Sequence, residues 1–349
     1  MSNRRAFLQA AGGAAFALGT FGAFGQPAPK RVMIGGQRAT IVDVHAHCLF
    51  PEVAQRVPAV AVPRAAPPSL VLGPDRIAVM DERGIDIQAL SVNTYWWYSA
   101  SRADASAVVA AHDEGIAAWC KQHPTRFVGL SSVALQYPDL AAEQLEHAVK
   151  NLGARGASIG GHVANEPPTS EKYDPFWAKA EELGVPVFMH PNNALNIARE
   201  GALAGRGGLD NIVGNPLETS VFLSRMIIDG TLDRFPRLTV CAAHGGGYLP
   251  SYLGRSDAAC VRDGANCANK RKPSAYFKDQ IVVDSMVFSS EGLRHLVAET
   301  GVSQIVYGSD LPYVWPDTID IIAEAPFLRD ADKLAILGGN LRRMLRIGA

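Results

Sequence analysis

The chain has 349 residues, of which 48% are hydrophobic and 19% are charged, and its formal net charge is −1. A chain of this hydrophobicity can bury a large core, so the composition argues against an intrinsically disordered protein. It contains no block of Lys and Arg of the kind that binds nucleic acid. We therefore expect no nucleic-acid partner.

The first 25 residues form a pattern of their own. Arg4 and Arg5 precede a weakly apolar run, rich in Ala and Gly, that extends to Gly25. This pattern predicts a twin-arginine export signal over residues 1–25, with a small-x-small cleavage sequence at its end. The alternatives are an amphipathic helix, disfavoured because Gly is a poor helix former, and an uncleaved anchor. We expect a periplasmic protein with no stable membrane insertion after the signal is removed.

The chain contains five cysteines, an odd number that cannot pair completely. Cys260 and Cys267 are close enough in sequence to form a disulfide in an oxidising compartment. No pair has the CxxC spacing of a cysteine-based zinc site, so the cysteines do not suggest one.

After residue 29, short β-branched apolar runs alternate with longer amphipathic patterns. Runs that are apolar throughout are typical of strands buried on both faces, as in a parallel sheet covered by helices. Eight such units predict an α/β fold, a TIM (β/α)₈ barrel, as a single domain over residues 26–349. An open doubly wound sheet is the alternative, but it would carry a Gly-rich phosphate loop where this chain has His-Ala-His. The predicted strands are 41–44, 87–92, 127–133, 156–159, 185–189, 238–242, 280–284 and 304–307.

Two long segments, 49–75 and 193–217, do not fit the bare barrel. The first is rich in Pro, Ala and Val, and the second in Gly and Asn. Loops of this length in a compact domain are usually functional lids or subunit contacts.

Three predicted strands end in residues that can bind a metal ion. His45 and His47 end the first strand and, being two residues apart, point the same way into the barrel mouth. His190 ends the fifth strand and Asp310 the eighth. Because the carboxyl ends of all the strands meet at one face, we expect these four side chains to converge. Three nitrogens and one carboxylate leave a coordination position open, which is typical of a catalytic metal site.

His244 ends the sixth strand and is followed by three glycines, which let the backbone approach a ligand closely. It is a candidate for a further metal ligand or for an acid/base residue. A structural Gly-rich turn is the alternative.

Together these motifs resemble the amidohydrolase-2 family over nearly the whole chain after the signal. The resemblance implies one zinc ion bound by His45, His47, His190 and Asp310. It also implies that His244 is not a ligand but orients and deprotonates the metal-bound water. The motifs that carry the resemblance are Asp43-x-His45-x-His47, Met189-His190-Pro191, His244-Gly-Gly-Gly, Leu253-Gly254-Arg255, Val283-Asp284-Ser285 and Tyr307-Gly308-Ser309-Asp310-x-Pro312.

The resemblance further implies a homodimer in which Arg255 reaches into the neighbour's site to bind a substrate carboxylate. Arg64 is the candidate by position for a second family arginine, although its flanking residues depart from the family pattern.

No lysine ends the fourth strand, where two-ion relatives carry a bridging carboxylated lysine, and this supports a single ion. His162 stands near that position and either contacts substrate or lies on a surface loop. Trp96, after the second strand, either lines a planar substrate's pocket or belongs to a packed aromatic patch.

The predicted function is zinc-dependent, non-oxidative decarboxylation of a small unsaturated or aromatic carboxylic acid. His244 and Asp310 would move the proton that replaces the carboxyl group, and Arg255 would pair with a carboxylate. Hydrolysis of an amide, ester or lactone is the alternative, with hydration as a third reaction on the same metal site. An exported binding protein on an inactive barrel is a different class, which the intact metal ligands disfavour.

Overall fold

The computed structural model describes residues 28–58, 60, 67–93, 96–194 and 197–348. The predicted signal over residues 1–25 and the candidate Arg64 lie outside these ranges. The barrel strands in the described part of the chain, numbered 1 to 8 below, are Val42–His47, Ile87–Ser91, Phe127–Gly129 continued by Ser131–Ser132, Ala157–Ile159, Val187–Met189, Val240–Ala242, Ile281–Asp284 and Ile305–Val306.

Each strand pairs in parallel with the next along the chain, and a break at Leu130 divides the wall into a three-stranded and a six-stranded sheet. Across the break, the amide of Leu130 donates to Leu90 (2.9 Å) and that of Ser131 donates to Gly156 (2.9 Å). Strand 8 meets strand 1 through a hydrogen bond from the Val44 amide to the carbonyl of Tyr307 (3.0 Å) and one isolated bridge. Hydrogen bonds therefore link all eight predicted strands in barrel order.

Amphipathic helices cover the outside of the wall. In Pro138–Asn151, for example, Pro stands at the first position, and Ala141 and Leu145 lie one turn apart on the buried face. Asp174–Leu183 ends at Gly184, whose φ of 60° supplies the left-handed cap. The other helices are Val53–Arg56, Pro74–Arg83, Arg102–Gln122, Asn215–Ile228, Thr231–Arg234, Leu253–Cys260, Pro273–Tyr276, Ser290–Thr300, Ile319–Ala323, Asp330–Leu334 and Asn340–Met344.

The interior of the barrel is filled by one apolar cluster that underlies the metal-ligand candidates. Alternate residues of the strands, such as Val42 and Val44, pack there with Phe188 and Cys241. Leu341 and its neighbours on the last helix belong to the same cluster. The ring of Phe188 lies edge-on to His45, with 5.4 Å between ring centroids. The packed interior thus gives the strand ends a rigid apolar floor.

The two long predicted loops contain short ordered elements. A short helix, Val53–Arg56, lies in the first, and a π-helical turn, Asp210–Gly214, leads out of the second into the helix Asn215–Ile228. Cys260 and Cys267 form a disulfide, with Cα atoms 5.6 Å apart. Among the described helices, none combines the length and the apolar character that crossing a membrane would need.

Candidate metal centre

The structure brings the four predicted ligand residues together at the carboxyl ends of the strands. Ligand atoms of His45, His47, His190 and Asp310 all lie within 4.8 Å of one another, and all four residues are buried. Strand 1 contributes two of them, and the ends of strands 5 and 8 contribute the others. Asp310 has a φ of 61°, an uncommon value for a non-glycine residue that is often found at functional sites.

Hydrogen bonds orient two of the imidazoles toward the cluster. Nδ1 of His45 lies 2.9 Å from Oδ2 of Asp284, and Nδ1 of His190 lies 2.7 Å from the carbonyl oxygen of Pro191. Both partners are acceptors, so each Nδ1 carries the proton and each Nε2 is left with its lone pair. Nε2 of His45 is buried and faces the carboxylate of Asp310, 3.0 Å from Oδ1, inside the ligand cluster. This is the arrangement in which proteins present histidine to a metal ion.

The charges within the cluster also fit a cation. Burial lowers the pKa of His47 and of His190, which keeps both rings neutral. Burial alone would also lower the pKa of His45, but the carboxylates of Asp310 and Asp284 outweigh that effect and raise it. Burial would raise the pKa of Asp310, yet His45 holds it well below its ordinary value. The carboxylates therefore stabilise positive charge at His45, and a divalent ion can supply that charge in place of the proton.

Asp43 ties the first strand to the turn that carries Asp310. Its carboxylate accepts hydrogen bonds from the amide of His45 (2.9 Å), the Gln88 side chain (2.8 Å) and the Ser309 hydroxyl (2.6 Å). Burial raises the pKa of Asp43 to about 6. The network fixes the backbone on both sides of the ligand cluster.

His244 lies beside the cluster, with its ring centroid 5.3 Å from that of His45 and 5.4 Å from that of His190. The carboxylate of Asp284 accepts from the amides of His244 (3.0 Å) and Gly245 (2.8 Å) and so fixes this turn. Burial, together with the charge of His45, lowers the pKa of His244 to about 4. The ring is therefore neutral at neutral pH and can accept a proton.

Asp284 is a residue to which sequence reasoning assigned no role. It joins His45 on strand 1 to the turn after strand 6, although it belongs to strand 7 itself. The available signal was its position, because an acidic residue at the carboxyl end of a barrel strand faces the site.

A cavity of about 360 Å³ opens onto the cluster. Its walls include His47, His190 and Asp310 and, beyond the predicted residues, the aromatic rings of Tyr313 and Trp315. Tyr313 lies edge-on to His47, with 5.0 Å between ring centroids. The position of both aromatic residues just after the strand-8 motif was the signal that could have identified them. The remaining lining residues are Asn211, Asn215 and Val314.

Three other predicted site residues lie away from this cavity. Trp96 is 2% exposed and donates its indole N–H to Ser158 (3.0 Å), with its ring 6.5 Å from that of His190. His162 is buried, with Nε2 3.7 Å from Oε1 of Glu218. Arg255 is exposed on the helix Leu253–Cys260 and does not line the cavity. Its role in a neighbour's site, like the substrate role of Trp96, stays a prediction.

Comparison with known proteins supplies the family. A family model described as amidohydrolase matches residues 42–347. This chain belongs to the amidohydrolase family. A curated relative of this amidohydrolase, the 2-amino-3-carboxymuconate-6-semialdehyde decarboxylase of Dictyostelium discoideum, is 31% identical over 275 residues, covering 77% of this chain and 75% of that protein.

Solved structures resemble the amidohydrolase along most of its length. The 5-carboxyvanillate decarboxylase of Sphingomonas paucimobilis aligns with a TM-score of 0.80 and 26% identity, covering 88% of this chain and 99% of that one. A dihydroxybenzoic acid decarboxylase from Polaromonas sp. JS666, with bound manganese and the inhibitor 2-nitroresorcinol, aligns with a TM-score of 0.76 and 26% identity, covering 89% and 98%. These likenesses confirm the TIM barrel and, with the His-His-His-Asp cluster, support a divalent metal site.

Proposed function

We propose that this amidohydrolase is a metal-dependent, non-oxidative decarboxylase of a small unsaturated or aromatic carboxylic acid. The observation that carries the proposal is the convergence of three imidazoles and one carboxylate in one buried cluster, two of whose imidazoles and whose carboxylate line a cavity, with a neutral His244 beside them. The named decarboxylases among its relatives and among the similar structures support the same reaction.

Zinc is the ion we propose, because imidazole nitrogens with one carboxylate suit it and leave a position open. The manganese in the Polaromonas structure makes Mn²⁺ the second ion to test. When bound, a divalent ion supplies a Lewis acid that polarises a substrate oxygen. Metal analysis of the purified protein, with His45→Ala as the metal-free control, identifies the native ion.

The residues of the chain supply the proton and the walls of the site. Loss of carbon dioxide leaves an electron pair on the substrate carbon, and that carbon must take up a proton. We assign the holding and delivery of this proton to His244 and Asp310, and their proximity to each other at the ligand cluster supports this assignment. Tyr313 and Trp315 present flat apolar surfaces for a planar substrate. We assign Arg255 of a neighbouring copy to a substrate carboxylate, which a guanidinium binds with two hydrogen bonds.

The reaction is tested by loading the protein with Zn²⁺ or Mn²⁺ and incubating it with aromatic and muconate-type acids, and with matched amides, esters and lactones. We expect carbon dioxide release from at least one acid, with none in the His45→Ala control. Hydrolysis of an amide, ester or lactone without carbon dioxide from any acid would instead support the hydrolase alternative.

We also propose export to the periplasm through the signal over residues 1–25. The disulfide between Cys260 and Cys267 supports this location, because disulfides persist in oxidising compartments. Replacing Arg4 and Arg5 together by Lys should retain the protein in the cytoplasm, as measured by cell fractionation with an unmodified chain in parallel. Equal periplasmic amounts of both chains would contradict the twin-arginine route.

A further inference from the structure

A second cavity, of about 470 Å³, adjoins the cavity at the metal centre. Asn211 and Asn215 line both cavities and so form the boundary between them. The two residues are four positions apart where the turn Asp210–Gly214 enters the helix Asn215–Ile228, so their side chains lie on the same side. Their position makes the two cavities neighbouring compartments.

Among the residues that the structure describes, the two boundary amides have no hydrogen-bonding partners. Within the residues that the structure describes, the side chains of Asn211 and Asn215 neither donate nor accept a hydrogen bond, although the main chain of Asn215 accepts one from Thr219. A carboxamide offers two donors and an acceptor with two lone pairs. Between two cavities, these groups are available to a bound molecule.

The rest of the second cavity combines four polar side chains with small and apolar residues, and its charges balance. Asn192 and Asn193 add two more asparagines to its lining, beside one cation, Arg199, and one anion, Asp210. Neither Arg199 nor Asp210 forms a side-chain ion pair with another described residue. Because the opposite charges offset each other, the cavity has no excess charge with which to select an anion. Groups that both donate and accept match the hydroxyl group, which has the same dual character.

We propose that the second cavity binds an uncharged, hydroxyl-bearing arm of the substrate, while the acidic end of the same molecule lies at the metal centre. This inference rests on the proposed decarboxylase function for the acidic end. A single-ring acid needs only the first cavity, whose volume already lies within the usual range for a ligand site. The second cavity therefore distinguishes larger substrates that carry such an arm from simple aryl acids.

The test measures binding to the Mn²⁺-loaded protein by calorimetry with three para-substituted benzoates. Their arms are propoxy, dihydroxypropoxy and carboxyethoxy, which are similar in length and differ in polarity and charge. We expect the dihydroxypropoxy compound to bind about 10-fold more tightly than the propoxy compound, as two additional hydrogen bonds would allow. The carboxyethoxy compound should gain no comparable advantage.

Asn211→Leu and Asn215→Leu keep the approximate side-chain size and remove the hydrogen-bonding groups. Each should reduce the preference for the dihydroxypropoxy arm to less than about 3-fold, with metal content and melting temperature unchanged. The control is Asn151→Leu, at an exposed helix end that lines neither cavity, and it should keep the full preference.

Equal affinities for the propoxy and dihydroxypropoxy compounds, or tightest binding of the carboxyethoxy compound, would overturn the inference. Binding is measured without turnover, so the two proposals fail separately. If no acid releases carbon dioxide but the asparagine-dependent preference is present, the decarboxylase proposal is wrong and the hydroxyl site stands. If an acid is decarboxylated but the preference is absent, the hydroxyl site is wrong.

Discussion

The ring of His45 lies between two carboxylates, with Asp284 at Nδ1 (2.9 Å) and Asp310 at Nε2 (3.0 Å). The first contact fixes the ring, and the second places its other nitrogen among the remaining ligand residues. His45 was predictable from sequence because its spacing from His47 at a strand end determines its direction. Asp284 was not assigned a role, because its contact with His45 crosses 239 positions of sequence and depends on the closed wall.

Replacing His244 tests metal binding and proton transfer separately. His244→Ala should retain the metal, because the four ligand residues form their cluster without it. Turnover should fall by about 100-fold or more, since the group proposed to deliver the proton is lost. The measurements are metal content by mass spectrometry and kcat with the best acid found. His45→Ala is the matched variant and should lose metal and turnover together. Loss of the metal from His244→Ala would show that His244 is a ligand.

At the scale of elements, the strands were predictable and the long loops were not. Continuous apolar runs identified all eight strands, because burial on both faces leaves that pattern in the sequence. The predicted run 127–133 nevertheless breaks at Leu130, a local detail of pairing that hydrophobicity does not encode. The segment 193–217 has no period, so sequence could not show that its end becomes the turn Asp210–Gly214 and brings Asn211 to the cavity.

Replacing Asp284 tests whether strand 7 positions His45 on strand 1 and the turn after strand 6. Its carboxylate holds the ring of His45 and the amides of His244 and Gly245. Asp284→Asn preserves the shape but removes the negative charge and one acceptor oxygen. We expect metal affinity to fall by about 10- to 100-fold, as with other residues that orient metal-bound histidines.

The affinity is measured by competition with a chromophoric chelator, and circular dichroism confirms that the barrel is folded. Asp279→Asn is the control, because Asp279 is exposed, lies just before the same strand and, within the described part of the chain, forms its ion pair with Arg271, away from the metal cluster. An Asp284→Asn protein with unchanged metal affinity would show that Asp284 does not act through His45.

At the scale of the whole molecule, one chain supplies a metal cluster and a cavity, and no arginine among the described residues lines that cavity. Arg255 is exposed, and the segment around it also exposes Tyr252 (58%) and Val261 (72%). Neighbouring exposed apolar side chains are typical of interaction surfaces. This surface supports the proposed homodimer in which the helix Leu253–Cys260 contacts a second copy.

Mixing two inactive variants tests the shared site directly. Arg255→Ala should impair substrate binding, and His45→Ala should abolish metal binding, so neither homodimer should be active. In a mixed dimer one site carries both defects, while the other combines an intact metal centre with an intact arginine from its neighbour. Random exchange of subunits should therefore restore about a quarter of the wild-type activity, because half of the dimers are mixed and each has one intact site. If Arg255 acted within its own chain, every site in the mixture would contain one defect, and activity would not return. The two variants are unfolded and refolded together or co-expressed, with each variant alone treated identically as the control, and activity is measured after exchange.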